Sequence, residues 1–159
     1  MVALPADPAF ERFVTTQGPR LVRLATLLTG SPFDGEDAVQ DAMIAIGGAW
    51  PRIRPESLQA YARTVVVRRC LNLVTRRREQ TVEQVPDASV DDPALLRYEQ
   101  DRAFFDRLAG LPKQQRAVLV LRYYADLDDA AIGALLRCRE STVRSQAARG
   151  LAKLREEQR

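Results

Sequence analysis

Apolar residues recur at helical spacing along almost all of the 159 residues, and the elements they predict are helices. A first helix is expected over residues 10–29, carrying Phe10, Phe13, Val14, Leu21, Leu24, Ala25 and Leu28. Residues 5–9 read as a frayed start, Gly18-Pro19 as an interruption, and residues 30–34 as a break. A second helix is expected over residues 35–50. Its inward positions are Ala38, Ala42, Ile44, Ala45 and Trp50; Glu36, Asp37, Gln40 and Asp41 face outward. Pro51 and Pro55 cannot both lie inside one helix, so residues 51–55 form a loop. A third helix spans residues 57–78, with Val66, Val67, Leu71 and Val74 inward. Residues 79–93 are polar and acidic, contain Pro86 and Pro93, and lack periodicity, as a linker does. A fourth helix follows over residues 94–109, with Leu95, Leu96, Phe104, Phe105 and Leu108. A fifth opens at Leu111-Pro112, with proline suited to the first helical position. The run Ala117-Val-Leu-Val-Leu121 also fits a buried strand, but its length and helical flanks favour helix.

The end of the chain predicts two helices around a tight turn. The carboxylate of Asp128 is placed to cap the first, which carries Ile132, Leu135 and Leu136. The break falls at Arg137-Cys138-Arg139. The second helix carries Val143, Ala147, Leu151 and Leu154 on one stripe, with Arg144, Ser145, Arg149 and Lys153 off it. Two helices at a short turn, the second one basic, form a helix-turn-helix whose second helix enters the major groove. The predicted fold is therefore all-α: two small helical domains, residues 1–78 and 94–159, joined by a flexible acidic linker over residues 79–93.

Charge sharpens this division. Residues 1–78 carry 11 basic and 7 acidic side chains, residues 79–99 carry 1 and 6, and residues 100–159 carry 12 and 8. Two basic blocks flank an acidic strip, which suggests two surfaces for a polyanion and a spacer that avoids it. Within the first block, residues 57–78 hold Arg63, Arg68, Arg69, Arg76, Arg77 and Arg78 and no acidic residue. Arg63, residues 69–70, Leu73 and Arg76 with Arg77 are expected to drift along one side. Such a strip repels itself unless a polyanion lies beside it. Tyr61 and Trp50 offer faces on which an unpaired base can stack.

Other chemistries find little support. Histidine, the commonest general base, is absent. There is no Gly-rich phosphate loop, no Ser or Cys nucleophile motif and no close repeat of paired carboxylates, so nothing points to an enzyme. Cys70 and Cys138 read as small buried hydrophobes; two thiols without histidine make a poor zinc site, and no metal or cofactor is expected. No apolar run reaches membrane-spanning length. The start of the chain shows no signal-peptide pattern, so a cytoplasmic protein is expected.

Together these stretches resemble the extracytoplasmic-function group (group 4) of bacterial RNA polymerase sigma factors. The resemblance rests on Leu111-Pro-Lys-Gln-Gln-Arg-Ala-Val-Leu-Val-Leu-Arg-Tyr-Tyr124, then Asp126-Leu127, Thr142-Val-Arg-Ser-Gln146 and Arg149-Gly-Leu-Ala-Lys-Leu-Arg155. That part is similar to region 4, which binds the minus-thirty-five element; the resemblance assigns this role to Ser141, Thr142, Arg144, Ser145, Arg149 and Lys153. Glu36-Asp-Ala-Val-Gln-Asp41 is similar to the region 2 surface that grips the β′ clamp helices, implying polymerase contacts at Asp37, Gln40 and Asp41. Residues 61–78 are similar to the helix that meets the minus-ten element. This implies DNA contacts at Trp50, Tyr61, Arg63, Arg68, Arg69, Asn72, Arg76 and Arg77, with residues 51–57 as the loop that receives a flipped base. The 22 arginines against 2 lysines fit an actinobacterial member.

The implied partners are core RNA polymerase (β′ clamp helices and β flap) and promoter DNA. An anti-sigma factor stays open, no membrane is involved, and the free protein is a monomer. The implied function is promoter selection and assistance in melting. The alternative is a stand-alone helix-turn-helix regulator whose N-terminal half senses a signal or dimerises. Three positions depart from the family pattern. Ala131 replaces the glutamate of a capping box. Arg137 stands where the turn has glycine, at a cost of about 1 kcal/mol if its backbone is left-handed. Arg139 replaces the serine cap of the recognition helix, which leaves Ser141 to cap a shorter one.

Overall fold

The computed structural model describes residues 3–80 and 99–157, and of residues 77–80 and 99–102 the backbone only. Among the described residues every regular element is helical. The chain divides into two compact units, Met1–Val85 and Pro86–Arg159.

The first unit packs three helices: α1 (Pro8–Thr29), α2 (Pro32–Ala49) and α3 (Leu58–Gln80). Single 3₁₀ turns, Trp50–Arg52 and Pro55–Ser57, join α2 to α3. Helix α1 starts earlier than the expected frayed segment allows, because Asp7 caps it. Its Oδ1 accepts the Ala9 N–H at 2.9 Å, and proline stands in the first turn, where no N–H is needed. Pro19 does not interrupt α1. Phe10 and Phe13 before it, and Leu21, Leu24 and Leu28 after it, are all buried on one stripe, so packing carries the helix through. Gly30 ends the helix in the left-handed conformation at φ 74°. Ser31 then caps α2, accepting the Asp34 N–H at 3.3 Å, with Pro32 at the first position. The break between the helices is therefore two residues long, shorter than expected.

The core joins those α1 residues to Ala38, Val39, Ala42, Met43 and Ile46 of α2 and to Ala62, Val66, Val67 and Cys70 of α3. Ile44, expected inward, is 46% exposed; Val39, Met43 and Ile46 take the inward positions. Helices α1 and α2 come close together at Gly35. A Cβ there would lie 2.7 Å from the Thr26 backbone nitrogen and 2.9 Å from its Cα. Backbone cannot move aside as a flexible side chain can. Gly35→Ala is therefore expected to destabilise the protein by about 1–3 kcal/mol. Thermal unfolding of the full chain measures this, and an unchanged midpoint would show that α1 and α2 separate without cost.

Trp50 closes the first unit. Its ring meets Phe10 edge-on at 5.1 Å and Phe13 at 5.8 Å, and its Nε1 donates to Asp7 Oδ2 at 2.8 Å. Asp7 thus holds both a helix start and an indole. The Ala9 N–H, the Trp50 N–H and the nearby Arg12 charge lower its carboxyl pKa below the ordinary 3.8. The stability this confers is complete above that ordinary value and is lost as pH falls through the lowered one.

The second unit contains α4 (Glu99–Ala109), α5 (Lys113–Leu119), α6 (Asp129–Leu136) and α7 (Glu140–Glu156). Helix α5 runs on into a π turn at Val120–Tyr124, so the apolar run at residues 117–121 is helical, not a strand. Pro112 is the N-cap of α5, one position before the expected one. Leu108, Leu111, Val118, Leu121, Ile132, Val143, Ala147 and Leu154 form the core, while Phe104 stays exposed. Two arginines tie helix ends together. Arg107 Nη2 donates to the Leu154 carbonyl at 2.6 Å, and the buried Arg116 donates through Nη1 to the Ala109 carbonyl at 3.1 Å. Burial lowers the pKa of Arg116. Helix α3 continues through Gln80, past the expected domain end at residue 78. Residues 81–93 of the expected linker and residues 94–98 of the expected fourth helix lie outside the described residues. No described helix is long and apolar enough to cross a membrane.

Candidate nucleic-acid interface

In the second unit α6 and α7 form the helix-turn-helix the spacing predicts. Asp128 caps α6, accepting the Ala131 N–H at 2.8 Å. Helix α6 ends at Arg137, whose backbone is left-handed at φ 56° and ψ 48°. An arginine therefore adopts the conformation that glycine takes at lower cost. The Cys138 N–H donates to the Gly133 carbonyl at 3.0 Å and closes the turn. That closure needs glycine at 133, because a Cβ there would lie 2.8 Å from the Cys138 carbonyl oxygen. Helix α7 starts at Glu140, not later. Arg139 is its extended N-cap residue, with no side-chain hydrogen bond, and its carbonyl accepts the Val143 N–H at 3.1 Å. The shorter helix capped by Ser141 does not form; the backbone at Arg139 alone suffices.

Val143, Ala147, Gly150 and Leu154 bury one side of α7. Ser141, Arg144, Ser145, Arg149 and Lys153 are exposed, and Thr142 is half-buried at the edge. Ser141, Thr142, Arg144 and Ser145 lie in the first two turns of α7. Arg149 and Lys153 follow one to two turns further along. Two carboxylates that the sequence reading passed over share the start of this surface. Glu140 lies 3.9 Å from Arg144 and Asp129 lies 4.0 Å from it. The i,i+4 spacing of Glu140 and Arg144 was a signal for the first; the second needs the fold.

In the first unit, α3 presents Tyr61, Arg68, Arg69, Asn72 and Arg76 to solvent. At 3.6 residues per turn these five fall within about 100° of arc. Val66, Val67 and Cys70 are buried on the opposite side. Arg63 departs from the expected strip. It stands seven residues before the buried Cys70, on the same side of the helix, and is half-buried. Arg77 lies within α3, among residues whose side chains fall outside the description. In the loop before α3, residues 51, 52 and 54–57 are exposed, including Arg52 and Arg54, two cations that the sequence reading did not single out. Trp50, expected as a stacking platform, packs on Phe10 and Phe13 with its N–H held by Asp7.

On α2, Glu36, Asp37, Gln40 and Asp41 are exposed, on the face expected of them. Two large apolar residues extend that face, Phe33 at 69% exposure and Ile44. Positions 33, 37, 40 and 44 align along about 16 Å of helix. The signal for Ile44 was its spacing of eleven from Phe33, three turns on the same face. Both cysteines are free thiols. Burial pushes the pKa of Cys70 up to about 12, with the Asp34 carboxylate adding to the shift, so it is an inert packing group.

The chain matches the family models Sigma-70 region 2 over residues 13–80 and Sigma-70 region 4 over residues 101–154. It is 37% identical over 152 residues to the RNA polymerase sigma-E factor of Streptomyces avermitilis, a match covering 93% of this chain and 84% of that protein. It is 34% identical to the protein of the same name from Streptomyces coelicolor, covering 93% and 85%. The ECF RNA polymerase sigma factor SigE of Mycolicibacterium smegmatis is 29% identical, over 95% of this chain and 62% of the relative. Among solved structures, the sigma factor RpoE in complex with the anti-sigma factor NepR, from Bartonella quintana, shares the fold. Its TM-score is 0.69 at 18% identity, covering 94% of this chain and 96% of that one. Both sigma-70 regions are matched in order, and named relatives follow nearly the whole length, so the chain belongs to the extracytoplasmic-function group of sigma-70 RNA polymerase sigma factors.

Proposed function

We propose that this sigma factor divides promoter selection and opening among three surfaces. The face of α2 centred on Asp37, Gln40 and Asp41, with Phe33 and Ile44 at its two ends, docks on the β′ clamp helices of core RNA polymerase. The exposed face of α3, Tyr61 with Arg68, Arg69, Asn72 and Arg76, holds the minus-ten strand; Arg77 belongs with it by sequence. The loop over residues 51–57 receives an unpaired base, with Arg52 and Arg54 adding phosphate contacts. Stacking falls to Tyr61, since Trp50 is engaged in packing. Arg63 supports the helix from its half-buried side. In the second unit, Arg144 with Ser141, Thr142 and Ser145 reads the minus-thirty-five groove. Arg149 and Lys153, deeper along α7, hold phosphates, and contacts of that kind position the protein without reading sequence. The second unit also meets the β flap. The protein works in the cytoplasm as a monomer when free, contributes no catalysis of its own and uses no cofactor. An anti-sigma protein is a further partner. The first domain extends through α3 to residue 80, and the second begins after the linker and includes α4 to α7.

One observation carries this reading over a stand-alone regulator. Four polar or basic residues and an exposed tyrosine share one face of α3, in a unit separate from the helix-turn-helix. A regulator that binds closed duplex has no use for it. The test is transcription by host core polymerase with the full-length chain on a promoter library. Initiation from a defined subset of promoters, dependent on the chain, is expected. Dimeric binding to paired half-sites, with no initiation at any promoter, would replace this reading with the regulator.

A further inference from the structure

Arg144 belongs to a chain of charges that reaches back from the recognition helix into the fold. Its Nη1 lies 3.9 Å from Oε2 of Glu140 and 4.0 Å from Oδ2 of Asp129. Asp129 opens α6, and its other oxygen accepts from Nη2 of Arg122, in the π turn. The three side chains differ in freedom. That of Arg144 is 59% exposed, whereas those of Asp129 and Arg122 are 23% and 26% exposed. Asp129 is thus a half-buried post, tied by a charge-assisted bond, beside a long and exposed guanidinium.

The Glu140 contact cannot hold Arg144 alone. An exposed i,i+4 pair stabilises by less than the entropy of ordering an arginine. Asp129 adds a second, fixed point from a different helix, and because both carboxylates lie near the same nitrogen they restrict where Nη1 of Arg144 can sit. Reading a guanine edge favours a restricted guanidinium, because two of its N–H groups must meet O6 and N7 together. Two carboxylates beside Arg144 also make this spot unfavourable for a phosphate, so the guanidinium is left for a base edge.

We propose that Asp129, anchored by Arg122, is a positioning residue for sequence recognition: it aims Arg144 at a base edge of the upstream element. The proposal rests on the reading of Arg144 as a groove contact. The test uses the full-length chain with host core polymerase, selecting from promoters randomised over the upstream element. Arg144→Ala is expected to erase preference at one or two base pairs. Asp129→Asn is expected to weaken preference at those same pairs by about 3- to 10-fold, part of what a bidentate contact supplies. Preference elsewhere should hold, and so should binding to non-specific DNA, since a negative charge has been removed. Arg122→Gln frees the post without touching its charge and should act in the same direction, which keeps the test valid if Asp129→Asn folds poorly. If Arg144→Ala alters preference but neither Asp129→Asn nor Arg122→Gln does, the positioning role is wrong. A loss from Asp129→Asn spread evenly over all sequences would mean a merely structural role. If Arg144→Ala itself changes no preference, the groove reading fails and this inference with it.

Discussion

Reversing the charge at Asp37 and Asp41 together is expected to reduce binding to core polymerase by about tenfold or more, the equivalent of 1.4 kcal/mol or above. Both carboxylates are exposed on α2, opposite the buried Ala38, Val39 and Ala42. Their replacement by arginine therefore leaves the α1–α2–α3 core untouched. At an interface the change acts twice: two attractions are lost, and two cations face a partner surface suited to anions. Close charge pairs across interfaces carry about 1.5–7 kcal/mol of coupling, so tenfold is a low bound. Ile44→Glu is expected to act in the same direction, because Ile44 extends the face in its exposed position. Co-purification of full-length variants with core polymerase measures the effect, and circular dichroism checks the fold. Unchanged co-purification with a normal spectrum would sink the assignment of this face.

Promoter opening should suffer most when the charge on α3 is removed. Arg68, Arg69 and Arg76 lie on one exposed face with Tyr61 and Asn72, and the loop over residues 51–57 leads into that helix. Extruding a base from duplex costs a few kcal/mol, which phosphate contacts and a stacking face must offset. Replacing all three arginines by alanine should slow open-complex formation on duplex promoter by about an order of magnitude or more. On a template melted beforehand the defect should be smaller, because the extrusion cost has been removed. The duplex defect should also deepen with salt, since each lost phosphate contact contributes to the counterion term. Permanganate reactivity of promoter thymines, compared on the two templates, reads this directly. Normal melting of duplex by the triple variant would reduce the α3 face to a solvated surface.

The tertiary surprises occur where a residue's surroundings come from another element. Pro19 reads as a breaker because its missing N–H and its ring oppose a helix. Packing of Phe10, Phe13, Leu21, Leu24 and Leu28 overrides that local cost. Ile44 reads as core from its type alone, yet the α2 face that meets α1 and α3 is filled by Val39, Met43 and Ile46. Arg63 reads as one of six basic residues, but its seven-residue spacing to Cys70 puts it on the packed side. Trp50 reads as a stacking platform until Asp7 and Phe10, some forty residues away, occupy it.

Local signals, by contrast, were sufficient for the architecture. Helical periodicity, the Asp128 cap and the three-residue break at Arg137-Cys138-Arg139 specified the helix-turn-helix, while the left-handed backbone of Arg137 and the start of α7 at Glu140 came from the structure. The exposed acidic face of α2 was legible from spacing, whereas the expected strip on α3 was only partly so: Arg69 and Arg76 are exposed, but Cys70 is buried and Arg63 and Leu73 are half-buried. Spacing cannot say which stripe of several meets a neighbour, nor which charges from separate helices converge. Asp129 and Arg144 are fifteen positions apart, and only the crossing of α6 and α7 brings their side chains within 4.0 Å. Interactions within one helix are set by its repeat and can be read along the chain. Interactions between helices depend on how their faces dock, and that is decided by the packing of the whole unit.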